Sequence, residues 1–282
     1  MHPPPPAPLS LSVSIVVHDS PLELLQQVLA SLLRSARNAA AAGCLGQAVV
    51  DVLDNSQDPD LHRRVRDALS QLPSEDVVSV RYTRLPENRG FGAGHNAALD
   101  AVISDVHLVL NPDAVLEEDA LRAGLARLAA AADIVLLSPR VRGVTGATEY
   151  LCRRYPSVLV LLLRGFAPQA IRRLFRKRLD HYEMRDLCTG EREVDIPLAS
   201  GCFMLVRTAA LRAIGGFDER YFLYFEDYDL SLRLASRGRL VFCPAMGIVH
   251  HGGYASGKGF RHVRYFIRSG ARFFQDHGWR WI

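Results

Sequence analysis

The sequence predicts an α/β protein built on a mostly parallel central sheet, with helices covering both faces of that sheet. From Leu11 to about Leu137, short β-branched runs alternate with runs that carry apolar residues at helical spacing. Hydrophobic residues make up 49% of the 282 residues and charged residues 23%, which is the balance of a globular protein with a sizeable core. In such sheets the loops that follow the strands lie along one edge, where ligands bind.

The first half of the chain alternates predicted strands with predicted helices. The strands cover 12–17, 48–53, 77–82, 107–110 and 134–137. The first helix opens at Ser20-Pro21-Leu22-Glu23, which combines a capping-box spacing with proline at the first helical position. A second helix starts at Asp58-Pro59, and a third has Asn96 at its start and runs through Ile103.

The second half returns to α/β character after a basic helical excursion at 151–185, where many arginines alternate with leucine and phenylalanine. This composition fits a solvated basic helix and an interfacial helix on anionic lipid about equally. Strands are predicted at 203–206 and 240–242, with a helix at 228–235 that Gly238 ends, and an amphipathic helical tail at 259–282. The expected parts are a disordered Pro-rich lead (1–10), a first half (11–140), a second half that includes the basic segment (141–258), and the tail.

Charge, cysteine usage and hydropathy exclude several classes of protein. A net charge of +4 is too small for a nucleic-acid coat protein, so no nucleic-acid partner is expected. The five cysteines are scattered without a CxxC pair, which favours free thiols in a reducing compartment. No apolar run is long enough to span a bilayer, and the start of the chain lacks the basic and apolar parts of a signal peptide. These features predict a cytoplasmic protein.

Two polar motifs follow predicted strands of the first half. Asp54, directly after 48–53, could accept a hydrogen bond from the ring N–H of uracil or thymine, or form an Asx turn before the next helix. The motif from Glu87 to Asn96 has three glycines at alternate positions, which permits close backbone approach to a ligand. It is not the dinucleotide fingerprint, because the third glycine of G-x-G-x-x-G falls on His95, and a dehydrogenase is therefore disfavoured.

Two further motifs carry candidate metal ligands. Asn111-Pro112-Asp113 follows the apolar run 108–110. A carboxylate at the tip of a buried strand suits a hard divalent cation that bridges a diphosphate, although Asp113 suits the N-cap of a following helix equally well. The adjacent histidines of His250-His251-Gly252-Gly253 are also candidate ligands, and a histidine ligand would make the site tolerate Mn²⁺ as well as Mg²⁺.

The acidic and aromatic motif at 217–230 carries the candidate general base. Glu226, Asp227 and Asp229 lie close together among phenylalanine and tyrosine residues. Aromatic side chains exclude water and stack on sugar rings, while a carboxylate can accept a proton. The like charges of Glu226 and Asp229 are expected to raise the pKa of Asp227.

Taken together and in this order, these motifs resemble those of the family 2 glycosyltransferases, inverting enzymes of the GT-A fold, and most closely their bacterial rhamnosyltransferase-like branch. The resemblance covers nearly the whole chain, from Ser12 to about Lys258. It rests on the following motifs in register: Asn88-x-Gly90-Phe91 with Asn96 after it, Leu110-Asn111-Pro112-Asp113, Ser200-Gly201-Cys202-Phe203, Gly215-Gly216-Phe217-Asp218-Glu219, Tyr224-Phe225-Glu226-Asp227-Tyr228-Asp229-Leu230, and His250-His251-Gly252-Gly253.

The resemblance implies a role for individual residues. Asp227 would be the catalytic base, with Glu226 beside it, and Asp113 and His250 would hold Mg²⁺ or Mn²⁺. Asn111 stands in place of the first acid of the family's DxD-type motif. The first half, 11–140, would bind the donor through Asp54, Asn88, Gly90, Asn96, Asn111 and Asp113. The acceptor would contact Gly201, Tyr224 and Phe225. Family members commonly carry Tyr-Asn where this chain has His18-Asp19, so the first loop of the nucleotide pocket departs from the pattern.

The implied reaction is inverting transfer of rhamnose or a similar deoxysugar or hexose from a dTDP- or UDP-sugar to a hydroxyl of a glycan or polyprenyl-linked glycolipid. Such a reaction fits cell-surface polysaccharide synthesis in bacteria, with contact to the inner membrane through 151–185. The sequence is compatible with a monomer and with an oligomer. Two alternatives stay open as well. One is a sugar-phosphate nucleotidyltransferase, although 12–20 lacks the Gly/Arg/Lys-rich loop that binds a triphosphate. The other is a non-catalytic nucleotide-sugar or carbohydrate-binding protein.

Overall fold

The computed structural model describes residues 7–73, 76–99, 103–189, 192–252 and 259–282. Most of the Pro-rich lead, together with Gly253 and Lys258, therefore lies outside the described residues. The strands are β1 (Leu9–Val17), β2 (Leu45–Asp54), β3 (Val78–Arg84), β4 (Val106–Leu110), β5 (Ala114–Leu116), β6 (Ile134–Gly143), β7 (Thr148–Glu149), β8 (Val194–Asp195), β9 (Phe203–Arg207) and β10 (Arg239–His250). The helices are α1 (Leu22–Ala41), α2 (Pro59–Ser70), α3 (Phe91–Leu99), α4 (Ala120–Ala130), α5 (Val158–Phe166), α6 (Gln169–Leu174), α7 (Arg176–Tyr182), α8 (Thr208–Ala213), α9 (Glu226–Leu234) and α10 (Phe260–His277).

One sheet runs through both halves of the chain, in the order β3-β2-β1-β4-β9-β6-β10-β5. Strands β3, β2, β1 and β4 pair in parallel, as do β6 and β10. Strand β9 runs antiparallel to both β4 and β6 and so joins the two parallel groups. The predicted α/β class and mostly parallel sheet are confirmed.

The core lies on both faces of this sheet because alternate side chains of each strand point to opposite faces. On one face the buried stripe of α1, which includes Leu25, Val28 and Leu32, packs against alternate residues of the central strands. On the other face, Val109 of β4 and Val206 of β9 pack against side chains of α8 and α9. Strand β4 is buried along its whole length, which places the loop at its end at the centre of the molecule.

Several predicted element boundaries shift. Helix α1 starts at Leu22 with Pro21 as its N-cap and no side-chain cap, so Ser20 does not form the expected capping box. Helix α2 begins as predicted, with Asp58 capping the amide of Asp60. The Asp113 loop leads into the short strand β5, and the next helix is α4 with Asp119 at its N-cap. The alternative reading of Asp113 as a helix N-cap is therefore wrong.

The basic segment forms three short helices, α5, α6 and α7, and the predicted C-terminal helix is α10. The aromatic side chains of Phe273 and Phe274 in α10 are buried against Tyr221 and Phe225. This packing attaches α10 to the residues that precede α9. Within the described ranges, no helix combines the length and the apolar character needed to cross a membrane.

Candidate active site

A pocket of about 740 Å³ opens at the edge of the sheet where the parallel strands end. Its floor comes from the loops after β1, β2 and β4, and from the segment between β3 and α3. Residues of the first half that line it are Val16, His18, Asp19, Ser20, Asn55, Asn88, Gly90, Phe91, Asn111 and Asp113. Its other wall is built by Phe222 and Leu223 and by Phe260, Arg261, His262 and Tyr265 of α10. This position is where ligands bind in open α/β sheets.

Asp113, which lines this pocket, lies beside His250. Strand β5 pairs with the end of β10, with Ala114 opposite His250, and the amide of His251 donates to the carbonyl oxygen of Asp113. As a result, His250 Nε2 lies 3.6 Å from Asp113 Oδ2. The other ring nitrogen of His250 is 2.8 Å from Glu149 Oε2, the outer contact that orients metal-binding histidines.

The residues around Asp113 fit a divalent cation. Asp113, Cys202 and His250 each place one ligand atom within 4.8 Å of the others. The atoms Oδ1 of Asp113 and Oδ1 of Asn111 are buried without a hydrogen-bond donor among the described residues, although buried acceptors are normally paired. Carboxylate and amide oxygens suit Mg²⁺ and Mn²⁺, and the histidine favours Mn²⁺. Burial raises the pKa of the Cys202 thiol, which keeps it protonated and leaves the oxygens and the imidazole as the ligands. The donor set therefore fits the ion that the sequence predicts.

Asp227 lies next to this cluster because β9 runs antiparallel to β4. The amide of Asn111 donates to the carbonyl oxygen of Cys202, so the loop before β9 follows the loop after β4. The amide of Gly201 in turn donates to Asp227 Oδ2 at 3.0 Å, and the amide of Tyr228 donates to Oδ1 at 2.9 Å. Cys202 therefore lies near both carboxylates, since its sulfur is within 4.8 Å of Asp113 and the neighbouring amide of Gly201 binds Asp227. Burial raises the pKa of its thiol, and the negative charges of Asp113 and Asp227 raise it further.

The three acids of the acidic motif have different surroundings. Burial raises the pKa of Asp227, and the amides of Gly201 and Tyr228 offset part of this rise. Burial raises the pKa of Glu226 well above its usual range, the charge of Asp227 raises it further, and Oε2 of Glu226 has no hydrogen-bond partner within the described chain. Asp229 is instead paired with Arg233 at 2.7 Å and with His277 at 2.8 Å, so it supports α9 and α10.

Asp54 points away from the pocket into the protein. It is fully buried, and its carboxylate accepts hydrogen bonds from the amide of Ser56 and the hydroxyl of Tyr82 and lies 2.6 Å from His62 Nδ1. Burial opposes its ionisation, but these partners outweigh burial and lower its pKa. Asn55, the next residue, lines the pocket. Because the carboxylate of Asp54 already has these partners, a nucleobase that binds Asp54 would have to displace one of them.

The glycine-rich motif supports packing more than ligand approach. Gly90 has φ of +100°, and a Cβ there would overlap the carbonyl oxygen of Phe222. Gly92 and Gly94 lie inside α3, against Phe217 and Val16. Their small size admits neighbouring protein side chains, so the expectation of three ligand-facing glycines is wrong for these two.

Asn88 and Asn96, predicted as donor contacts, have different positions. Asn88 lines the pocket and its Oδ1 accepts from the side chain of Asn55 and the amide of Gly90. Asn96 lies in the middle of α3, where its side chain both donates to and accepts from the backbone of Phe217. Helix α3 begins at Phe91, so Asn96 does not start it and instead holds the 217 loop in place.

The three residues predicted to contact the acceptor, Gly201, Tyr224 and Phe225, differ in their burial and contacts. Tyr224 and Phe225 have φ of +70° and +67°, a left-handed pair that turns the chain into α9. Phe225 is buried against Phe273 of α10, so its ring packs in the core and does not face a sugar. Tyr224 is partly exposed, and its hydroxyl lies 3.0 Å from His262 Nδ1. Gly201 adjoins Phe91 and Asp227.

Sequence reasoning missed the contribution of α10 to the pocket. Phe260, Arg261, His262 and Tyr265 are far from the other pocket residues in sequence, and no motif marks them. It also missed Arg153, a buried arginine whose charge acts on Asp227. The only signal for the role of α10 was the basic and aromatic composition of 259–282.

Comparisons with known proteins agree with this geometry. A family model described as "Glycosyltransferase like family 2" matches residues 11–256. The N-acetylglucosaminyl-diphospho-decaprenol L-rhamnosyltransferase of Mycobacterium tuberculosis is 28% identical over 206 residues, which cover 68% of this chain and 65% of the relative. Rhamnosyltransferase WbbL of Escherichia coli is 26% identical over 174 residues, 57% of this chain and 61% of the relative. The matched region thus spans less than two thirds of each relative.

Solved structures share the fold. GalNAc-T7 with UDP, GalNAc and Mn²⁺ superposes with a TM-score of 0.66 at 15% identity, covering 95% of this chain and 48% of that one. Mannosyltransferase PcManGT from Pyrobaculum calidifontis, with GDP-Man and Mn²⁺, gives 0.62 at 16% identity, covering 96% and 66%. At these identities the likeness shows the fold alone, which is the predicted GT-A fold.

Proposed function

The chain belongs to glycosyltransferase family 2, and we propose that it is an inverting, metal-assisted transferase that moves a sugar from a dTDP- or UDP-sugar to a hydroxyl group. The sugar we propose is rhamnose or a similar deoxysugar or hexose. The observation that carries the proposal is the proximity of two groups: Asp113 and His250 lie beside Cys202, and the carboxylate of Asp227 accepts a hydrogen bond from the amide of the adjacent Gly201. Sugar transfer requires that the donor diphosphate is neutralised and that the acceptor hydroxyl loses its proton at an adjacent position. A cation held by Asp113 and His250 would meet the first requirement, and Asp227 would meet the second.

In the proposed reaction, Asp113 and His250 would hold the cation, whose charge would neutralise the departing nucleoside diphosphate. Asp227 accepts the proton of the acceptor hydroxyl as that hydroxyl attacks the anomeric carbon from the face opposite the leaving group. The amides of Gly201 and Tyr228 fix the carboxylate of Asp227 in place. A single displacement inverts the anomeric centre and requires no covalent enzyme intermediate.

We propose a polyprenyl-linked glycan as the acceptor. The Mycobacterium tuberculosis relative is named for a decaprenyl diphosphate carrying N-acetylglucosamine, and WbbL is named as a rhamnosyltransferase. A carrier of this kind would place the reaction at the inner face of the membrane, and we propose that the chain contacts that face. The basic segment 151–185 is our candidate for that contact.

The deciding experiment is a donor screen with the purified chain. dTDP-rhamnose, UDP-glucose and UDP-N-acetylglucosamine are each supplied with Mn²⁺ or Mg²⁺ and a short prenyl-diphosphate glycan. The readouts are released nucleoside diphosphate and, by NMR, the anomeric configuration of the product. A bound donor at 100 times its dissociation constant should also stabilise the fold by about 2.7 kcal/mol.

Release of dTDP or UDP with inverted product is the expected result. Donor binding in the thermal assay without any turnover would favour the non-catalytic binding protein. A product that retains the anomeric configuration would overturn the single-displacement mechanism.

A further inference from the structure

A second cavity, of about 490 Å³, lies between α5, α7 and the residues after α10. It shares no lining residue with the donor pocket. We call it the basic cavity, because its described lining carries cationic side chains and no acidic side chain. The residues that matter here are Arg154, Lys177, Arg178, His181, Arg280 and Ile282.

The charges of the basic cavity are mostly uncompensated. Arg154 is paired with Asp186 at 2.7 Å. Lys177, Arg178 and Arg280 form no ion pair with any carboxylate of the described residues, while their neighbour Arg176 pairs with Asp180. The guanidinium of Arg280 lies over the ring of Tyr155, 4.5 Å from its centroid, which fixes its position without neutralising it. Three cations without counter-ions around one cavity create a site for anionic groups.

Exposed large apolar side chains lie on the segments that line the cavity and on α6, which connects α5 to α7. Helix α6 buries none of its residues, and its Leu174 is 77% exposed. Trp281 is 65% exposed and Ile282, which lines the cavity, is 83% exposed. Leu162 and Phe166 of α5 are also more than half exposed. Apolar side chains next to unpaired cations are typical of a surface that lies in a membrane interface, where tryptophan is enriched.

The residues after α10 are held in place. The amides of Val158 and Leu159 at the start of α5 donate to the carbonyl oxygens of Arg280 and Trp281. The hydroxyl of Tyr155 donates to the carbonyl oxygen of Gly278 at 2.6 Å. Trp279 stacks between Phe274 and Trp281, with ring centroids 5.1 Å apart on both sides. The exposure of the tryptophans is thus a property of an ordered surface.

We infer that this surface docks on an anionic phospholipid bilayer, with lipid phosphates in the basic cavity and Leu174, Trp281 and Ile282 inserted at the headgroup boundary. The inference deepens the proposed function, on which it rests, by naming the membrane-facing side of the enzyme. Charge complementarity carries it, since the unpaired cations meet the phosphates while the apolar residues leave water.

The chain offers a built-in probe, because Trp279 and Trp281 are its only two tryptophans. The full-length protein is mixed with vesicles of 30% phosphatidylglycerol in phosphatidylcholine, or of phosphatidylcholine alone. On the anionic vesicles we expect co-sedimentation, a blue shift of tryptophan emission and quenching by lipids brominated on their acyl chains. All three signals should weaken as salt is raised, because screening shortens the reach of the charges.

Two variants and a control test the assignment. Replacing Lys177, Arg178 and Arg280 with glutamine should lower the partition coefficient about 100-fold, since each cation near an anionic surface contributes about a factor of five. Leu174→Ser with Trp281→Ser should reduce binding and leave its salt dependence in place. The matched control replaces three exposed arginines of α1, α2 and β3 (Arg34, Arg66 and Arg84) with glutamine, and it should bind like the wild type.

The outcomes separate this inference from the proposed function, because vesicle binding needs no donor. Co-sedimentation without any change in tryptophan emission would show that another face binds, and equal binding to both kinds of vesicle would exclude the cation site. Either result overturns the inference even if sugar transfer occurs. If the protein binds vesicles as expected but transfers no sugar, the result would instead contradict the proposed function.

Discussion

Asp227 has the surroundings of a general base. Its two oxygens accept amide hydrogen bonds that fix its orientation, while burial raises its pKa toward neutrality, where a base accepts protons most effectively. Asp227→Asn keeps the shape of the side chain but cannot accept a proton. We expect kcat to fall by roughly 10²–10⁴ while the dissociation constant of the donor, measured by calorimetry, changes little.

Glu226→Gln is the control for that assignment. Because burial holds the pKa of Glu226 well above its usual range, its side chain is expected to be neutral, and a neutral amide is a close replacement. In the wild type, activity should fall as pH drops through the raised pKa of Asp227, since protonation removes the base. Glu226→Gln should keep this acidic limb; a loss of activity larger than that of Asp227→Asn would move the role of base to Glu226.

Asp113 is the second residue whose removal is diagnostic. Its Oδ1 is buried without a hydrogen-bond partner among the described residues, and its Oδ2 lies 3.6 Å from His250, so the proposed cation would bind here. Asp113→Ala should abolish metal-stimulated turnover and weaken donor binding, because the diphosphate loses its counter-charge. Calorimetric titration of Mn²⁺ with nucleoside diphosphate present measures the loss directly. Turnover that survives both this substitution and EDTA treatment would contradict the metal role.

At the scale of elements, the site depends on how closely α3 approaches the loop before α9. The amide of Phe91 donates to the carbonyl oxygen of Phe222, and Gly90 provides the space and the positive φ that this contact requires. Gly90→Ala should therefore lower the free energy of unfolding by roughly 2–4 kcal/mol, through backbone strain plus overlap with Phe222.

Gly146 provides the matched comparison. It also has a positive φ, +81°, but a Cβ there would meet open space. Gly146→Ala should cost only the backbone term, about 1–2 kcal/mol, in the same urea unfolding experiment. Equal losses in the two variants would show that the contact between Gly90 and Phe222 adds nothing to stability.

At the scale of the whole molecule, a buried polar network joins β1, β4 and α3 under the site. The hydroxyl of Ser14 lies 2.7 Å from His95 Nδ1 and 2.9 Å from His107 Nε2, and Ser12 lies 2.7 Å from His107 Nδ1. Burial lowers the pKa of His107 from 6.5 to about 4, and burial with the nearby His107 lowers that of His95 as well. Both rings are thus neutral in the folded protein near neutral pH.

This network makes stability depend on pH. Below pH 6.5 the unfolded chain binds protons that folded His107 does not bind until the pH nears 4, so stability is lost as pH falls through this window. The shift amounts to about 3 kcal/mol for His107, of which roughly 2 kcal/mol falls between pH 7 and pH 5. Between pH 7 and pH 5, the free energy of unfolding measured in urea should fall by roughly 2 kcal/mol less in His107→Gln than in the wild type. In His18→Gln it should fall as much as in the wild type. Identical slopes in all three proteins would contradict the role of the network.

Patterns in the amino-acid sequence correctly predicted the α/β class, most strands and helices, and the loops at which polar residues gather. These features depend on local information: residue spacing along one strand or helix, and capping residues such as Asp58. The sequence also placed Asn111 and Asp113 after a strand, and the resemblance of the motifs to a known family gave the proposed roles of these residues and of His250, which proves to be the last residue of β10.

Only the tertiary structure decided which of these residues meet. Asp113 contacts His250 because β5 pairs with β10, and Asp227 approaches the cluster because β9 runs back along β4. Helix α10 packs on Phe225, buries it and completes the pocket wall. His62 and Tyr82 contact the carboxylate of Asp54 and hold it inside the protein. The physical reason is common to all four: the exposure and partners of a side chain depend on segments distant in sequence, and local spacing does not specify which segment packs against it.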